Sequence, residues 1–271
     1  MAVNRSLLPK ISIVTPSFNQ GDYLEETLRS VLEQDYPNLE YIVMDGGSTD
    51  GSVDIIRKYA DRISHWKSAK DEGQADAIRS GFARATGGIL GWLNSDDTLA
   101  RGTLSKVGEY FAAHSGVDLV YGDLNLVDMN GKLLYTARPL LRLGILVYEN
   151  SFIPQQAMYW RRSLYERAGG VDPSLCFAMD FDLVVRFLLE GASVRKLPGV
   201  LANYRWHPAA KSSTIRDVLE KEVDELIHRH LPAAAAEPAW RRFLKKMYYR
   251  GMRYTLEPRS LASALMSRIR N

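Results

Sequence analysis

The apolar run Ile89-Leu90-Gly91-Trp92-Leu93 ends abruptly at Asn94-Ser95-Asp96-Asp97-Thr98. A short apolar run closed by turn formers predicts a buried strand. Two adjacent carboxylates at its carboxyl end put negative charge at the mouth of an open sheet, where ligands bind in α/β folds. Carboxylates this close repel unless a cation lies between them, and a divalent metal carrying phosphate oxygens meets that need. The same residue types also make ordinary strand exits, so the rest of the chain has to decide between the two.

Strand and helix alternate on either side of this run. Ile11 to Pro16 and Tyr41 to Met44 predict strands, while Tyr23 to Glu33, Val53 to Tyr59 and Gly73 to Ala85 predict helices. That alternation argues for βαβ units and a parallel sheet. Beyond Leu99 the pattern is mixed. It has helices at Thr103 to His114, Ser163 to Ala168 and Asp182 to Glu190, and strands at Asp118 to Tyr121, Leu133 to Ala137, Val194 to Leu197 and Leu201 to Trp206. Ala233-Ala234-Ala235-Ala236-Glu237-Pro238 marks a hinge or linker.

The 271 residues suffice for one large domain with an appendage. The net charge of +3 is too small to argue for nucleic acid as a partner. Its distribution is uneven: from Trp240 onward nine basic residues face Glu257 alone, about +8, which leaves the remainder acidic. In this tail Trp240, Phe243, Leu244, Met247, Tyr248 and Gly251 recur at helical spacing with Arg and Lys opposite. Either the helix packs on the main domain, or it lies at an anionic membrane surface. The lone Cys176 excludes an internal disulfide and suits a reducing compartment. With no apolar leader and no run long enough to span a bilayer, the chain reads as cytoplasmic, or peripheral on the inner face of the membrane.

Asp45 ends its strand as Asp96 ends the later one, and acidic ends of parallel strands converge on one crevice. The run after it, Gly46-Gly47-Ser48-Thr49-Asp50-Gly51-Ser52, is glycine-rich. It lacks the spacing of a dinucleotide fingerprint and the Gly-Lys-Ser/Thr of a P-loop. Ile56 stands where a calcium loop needs glutamate. What remains is a flexible turn exposing Asp45 to a ligand, with Asp50 or Ser52 capping the next helix.

Ile13-Val-Thr-Pro-Ser-Phe-Asn19, Asp45-Gly-Gly-Ser-Thr-Asp-Gly-Ser52, Gly73-Gln-Ala-Asp-Ala-Ile78, Leu93-Asn-Ser-Asp-Asp97, Ala178-Met-Asp-Phe-Asp182 and Tyr204-Arg-Trp-His207 follow one another in order. This ordered set, over about residues 9 to 215, resembles family 2 glycosyltransferases of the GT-A fold. The resemblance implies an α/β domain, Rossmann-like with a mostly parallel central sheet, assigned to residues 1–225, and the charge and spacing beyond it assign a basic helical tail to 226–271. It implies that Thr15, Pro16, Ser17 and Asp45 hold the nucleobase, with Asp71 and Asp76 beside the nucleotide. Asn94, Ser95 and Asp96 occupy the place of the family's D-x-D motif. Asp96 would bind Mn2+ or Mg2+, His207 would join it on the metal or meet the phosphate, Asp97 would lend support, and Asn94 would touch the ribose without bringing charge.

Asp180 aligns with the catalytic base of an inverting transfer, although it could instead cap the helix that follows; Asp182 is expected to be a cap. Gln155, Gln156 and Trp160 fall where the family meets acceptors. The implied donor is a nucleotide-diphosphate sugar, UDP or dTDP before others, and the acceptor a glycan or lipid-linked molecule of cell-surface polysaccharide synthesis. Two other classes remain open. A nucleotidyltransferase would want a basic N-terminal loop, and residues 15–22 contain no Lys or Arg. A non-catalytic sugar-nucleotide-binding module would tolerate Asn94 and Met179 where the family often has acids.

Overall fold

A computed structural model describes residues 8–139, 153–208, 210–211 and 216–256, with side chains up to Tyr248 in the last helix. Residues 257–271 of the basic tail, and Ser212 and Ser213 beside Lys211, lie outside the described residues.

The chain opens as β1 (Ile11–Ser17), α1 (Gly21–Leu32), β2 (Leu39–Asp45), α2 (Ser52–Lys58), β3 (His65–Ser68), α3 (Gln74–Arg84) and β4 (Ile89–Trp92). These four strands pair in parallel in the order β3-β2-β1-β4. The expected alternation is therefore realised. β5 (Thr98–Leu99), α4 (Thr103–Ala113), β6 (Leu119–Val127), β7 (Leu133–Ala137), β8 (Met158–Arg161), α5 (Arg162–Arg167), α6 (Met179–Leu189) and β9 (Val194–Arg205) follow. β8 inserts antiparallel between β4 and β6, and β9 runs parallel to β6. The strands expected at 194–197 and 201–206 are one strand whose register shifts around Pro198 and Gly199. The chain continues in α7 (Arg216–His230), α8 (Pro232–Ala235) and α9 (Ala239–Leu256). The alanine-rich stretch is thus partly helical, and a domain boundary at 225/226 falls inside α7.

Neighbouring strand residues point to opposite faces of the sheet, and two apolar cores result. Val14, Ile42, Leu90, Leu119 and Trp160 pack with α3, α5, α6 and α7. Ile13, Val43, Ile89, Val120 and Tyr159 pack with α1 and α4 on the other side. α3 lies so close to β1 that a Cβ on Gly81 would sit 2.4 Å from Val14. Trp160, expected near acceptors, is fully buried in the first core, edge-on to Trp92 with centroids 5.8 Å apart. Such aromatic pairs add about 0.5–1.5 kcal/mol beyond area burial. Its role is packing.

The β1–β4 ladder ends at Val14–Trp92, with Leu93 N–H donating to Val14 O as the last bond. β1 runs on to Ser17 against β2 alone. Pro16 faces the side where β4 has run out, so its missing N–H sacrifices no pairing. The chain turns from β1 to β2 on one side and returns to β4 on the other. That reversal of strand order opens a crevice at the strand ends.

Candidate active site

A cavity of about 880 Å³ lies at this crevice. Its polar lining includes Ser17, Asp71, Asn94, Asp96, Asp180 and Lys211, and its apolar lining includes Trp92, Phe177, Met179, Leu219 and Val223. Pro16, Ser95, Gln155 and Gln156 line it as well, so ten of the sequence-derived residues meet in one place (Pro16, Ser17, Asp71, Asn94, Ser95, Asp96, Gln155, Gln156, Asp180 and, through contact with Asp96, His207). The Ser17 hydroxyl is buried in the cavity wall and has no hydrogen-bond partner among the described residues.

Thr15, Asp45 and Asp76 make bonds within the protein. Thr15 is buried with its hydroxyl 2.9 Å from that of Tyr41. Asp45 is only 3% exposed. Its carboxylate accepts from the amides of Gly47 and Ser48 and from the hydroxyls of Ser48 and Ser68, at 2.5–3.1 Å. The glycine-rich turn therefore does not expose Asp45; it folds over it. Asn19 ties this turn to β1, its side-chain oxygen accepting from Thr49 N–H at 2.9 Å. Gly51, not Asp50 or Ser52, occupies the α2 cap position, and Asp50 bonds the amides of Ser52 and Gly21. Asp76 accepts from Glu72 N–H in the first turn of α3. Asp71 rests on Gly46, where a Cβ would come within 2.9 Å of its carboxylate, so position 46 has no room for a side chain.

The turn after β4 is held by Arg205 at the end of β9. Its amide donates to Asp97 Oδ1 at 2.9 Å, and its guanidinium reaches Asp96 O at 3.1 Å and the Glu26 carboxylate. Asp97 is fully buried, with Gln156 donating to its other oxygen at 2.9 Å. Burial, and then the neighbouring Asp96 carboxylate, push its pKa well above the usual carboxylate range. Asp97 therefore supports the turn and does not face the cavity. Asp96 does, and its Oδ2 lies 3.2 Å from His207 Nε2. His207 is buried against the Tyr23 ring, 4.7 Å between centroids.

Among the described residues no group of three or more His, Cys, Asp or Glu side chains could hold a metal. Two converging ligands nevertheless fit Mg2+ or Mn2+, which commonly take one or two protein ligands and complete their shell with substrate phosphates and water.

Asp180 lies in the first turn of α6, where the cap position is Ala178, and its Oδ1 accepts from Phe181 N–H at 2.8 Å. Its apolar surroundings raise its pKa to about 7 by desolvation, against the opposing backbone hydrogen bonds. Asp182 is no cap. It is 1% exposed, bonded to Arg186 and to His230 Nε2 of α7 at 2.9 Å. The amides ahead of α6 are taken instead by Glu222 of α7, which accepts from Cys176, Phe177 and Ala178 at 2.7–2.8 Å. Glu222, Arg205, Gln74 and Lys211 are the site residues that motif reading passed over, though Arg205 and Gln74 lie inside the motifs. Burial lowers the pKa of the Lys211 ammonium.

The model of glycosyl transferase family 2 matches residues 12–167, more than half of the chain. The chain belongs to this family. A PGL/p-HBAD biosynthesis glycosyltransferase of Mycobacterium bovis is 30% identical over 201 residues, 72% of this chain and 77% of the relative. A glycosyltransferase of Nostoc sp. is 28% identical over 213 residues, 74% of this chain and 66% of the relative. In structure, S. aureus TarS in complex with UDP-GlcNAc aligns over 91% of this chain and 73% of its own, with a TM-score of 0.63 at 17% identity. The mannosyltransferase PcManGT of Pyrobaculum calidifontis, in complex with GDP-Man and Mn2+, covers 98% and 86% with a TM-score of 0.59 at 19% identity. These likenesses establish the GT-A fold. The family match ends before Asp180, Glu222 and Lys211.

Proposed function

We propose that this family 2 protein is an inverting, metal-dependent glycosyltransferase that moves a sugar from a nucleotide-diphosphate donor to a hydroxyl of a glycan or lipid-linked acceptor in cell-surface synthesis. The observation that carries this reading is Asp180, a carboxylate in the cavity wall with a pKa of about 7. The acceptor oxygen bonds to the anomeric carbon as the bond to the diphosphate breaks, and Asp180 takes the hydroxyl proton. Asp96 and His207 would hold the metal, which when bound neutralises charge on the departing diphosphate. Lys70 adds positive charge to the same wall. The donors seen with TarS and PcManGT, UDP-GlcNAc and GDP-Man, support a nucleotide sugar without choosing the base.

Because the base must be ionised, kcat/KM should rise with pH through about 7 and fall about tenfold per unit below it. A pH profile of transfer or of slow donor hydrolysis checks this, and a flat profile between pH 5.5 and 8 counts against Asp180.

We place the enzyme at an anionic membrane surface. Among the described residues no helix is long and apolar enough to cross a membrane. α9 leaves Trp240, Phe243, Leu244, Met247 and Tyr248 between 50% and 65% exposed. An open apolar stripe of this kind supports an interfacial helix over one packed on the domain. Anionic vesicles should bind the full chain at low salt, each Lys or Arg near the surface contributing about 1 kcal/mol, and added salt should release it. Removing residues from Trp240 onward should abolish vesicle binding and spare donor hydrolysis. A full-length protein that ignores such vesicles rules the placement out.

A further inference from the structure

Five polar groups along the cavity are joined head to tail. Lys211 Nζ donates to Gln74 Oε1 at 3.1 Å, and Gln74 Nε2 donates to Asn94 Oδ1 at 2.9 Å. Asn94 Nδ2 donates to Gln155 Oε1 at 3.3 Å, and Gln155 Nε2 donates to Trp92 O at 2.6 Å. These groups come from the segment after β9, the start of α3, the turn after β4, the segment before β8 and the end of β4 itself. The ends determine the polarity of the whole chain of bonds. An ammonium can only donate and a backbone carbonyl can only accept. Each amide between them must turn its oxygen toward Lys211 and its nitrogen toward Trp92.

Asn94 is the member that stands where the family motif places an acid. An aspartate there could still accept from Gln74, but it has no hydrogen to give Gln155. If Gln155 turned its nitrogen to the new carboxylate, its oxygen would meet the Trp92 carbonyl, acceptor against acceptor in a residue only 4% exposed. Asparagine is thus the residue that completes the bonds here.

We infer that Lys211 is a positioning residue that acts through Gln74 to orient Asn94 toward the donor, and that this chain requires asparagine rather than aspartate at position 94. The inference rests on the proposed reading of the cavity as a donor site.

A double-mutant cycle tests it, with UDP, dTDP and GDP plus Mn2+ as probes in calorimetry. Lys211→Met and Asn94→Ala should each weaken the probe that binds by about tenfold, and the double variant should be little weaker than either. Lys211→Arg keeps a donor and should largely restore affinity. Multiplicative losses, about a hundredfold in the double variant, would mean that Lys211 acts independently of Asn94, by meeting the diphosphate or through its bond to Cys176 O, and would overturn the inference. Asn94→Asp should also lose affinity; binding as tight as in the original chain would likewise overturn it. The same cycle read on melting temperature needs no ligand. If the unaltered chain binds none of the probes, the donor-site reading fails. Coupling between positions 211 and 94 in melting then still decides whether the network operates.

Discussion

Asp180→Asn should hold the donor as well as the original chain does while losing turnover by about two to four orders of magnitude. The amide is nearly isosteric but cannot take the acceptor proton. Folding stability should respond in the opposite sense. The folded-state pKa of Asp180 is raised to about 7, so between the usual carboxylate value and pH 7 the folded state binds more protons than the unfolded one. Stability contributed at this site is present at low pH and lost as pH rises through about 7. The asparagine variant escapes that loss and should melt no earlier than the original at pH 8. The gap should close toward pH 4. A variant that loses donor affinity and melts early at pH 8 would show that Asp180 is structural, with its bond to Phe181 N–H as its main purpose.

Asp96→Ala should remove the metal-dependent part of donor affinity and reduce turnover by about a thousandfold or more, since a bound metal supplies several kcal/mol of charge stabilisation. The fold should survive. Asp96 is itself one cause of the raised pKa of Asp97, so its removal relieves a like-charge contact beneath the turn. Arg205 and Gln156 would still hold Asp97 in place. Calorimetric titration of the nucleoside diphosphate with and without Mn2+ separates the outcomes. An unchanged response to metal would exclude Asp96 as its ligand.

The parallel half of the sheet was legible because its strands are apolar, end at turn formers and alternate with amphipathic helices. The acidic strand ends were legible for the same reason. What local pattern cannot show is which charged group the protein keeps for itself. Asp45 closes β2 and Asp96 lies in the turn after β4, yet Asp45 is bonded by Ser48, Ser68 and its own turn, while Asp96 faces the cavity. Asp182 sits where caps occur, but its partner His230 lies 48 residues away. β8 went unseen because four residues carry no signal of the antiparallel slot they fill. Its Trp160, expected where the family meets acceptors, is a core side chain. Glu222 and Lys211 escaped for a related reason: each meets the site through tertiary packing and matches no motif.

The central claim is tested most directly by incubating the chain with UDP-, dTDP- and GDP-sugars and Mn2+ and identifying the nucleotide released. Slow release of a nucleoside diphosphate is expected from one class of donor, abolished by Asp96→Ala and severely reduced by Asp180→Asn. Donor that binds without any turnover would mark a sugar-nucleotide-binding module, and release of a nucleoside monophosphate in place of the diphosphate would contradict glycosyl transfer outright.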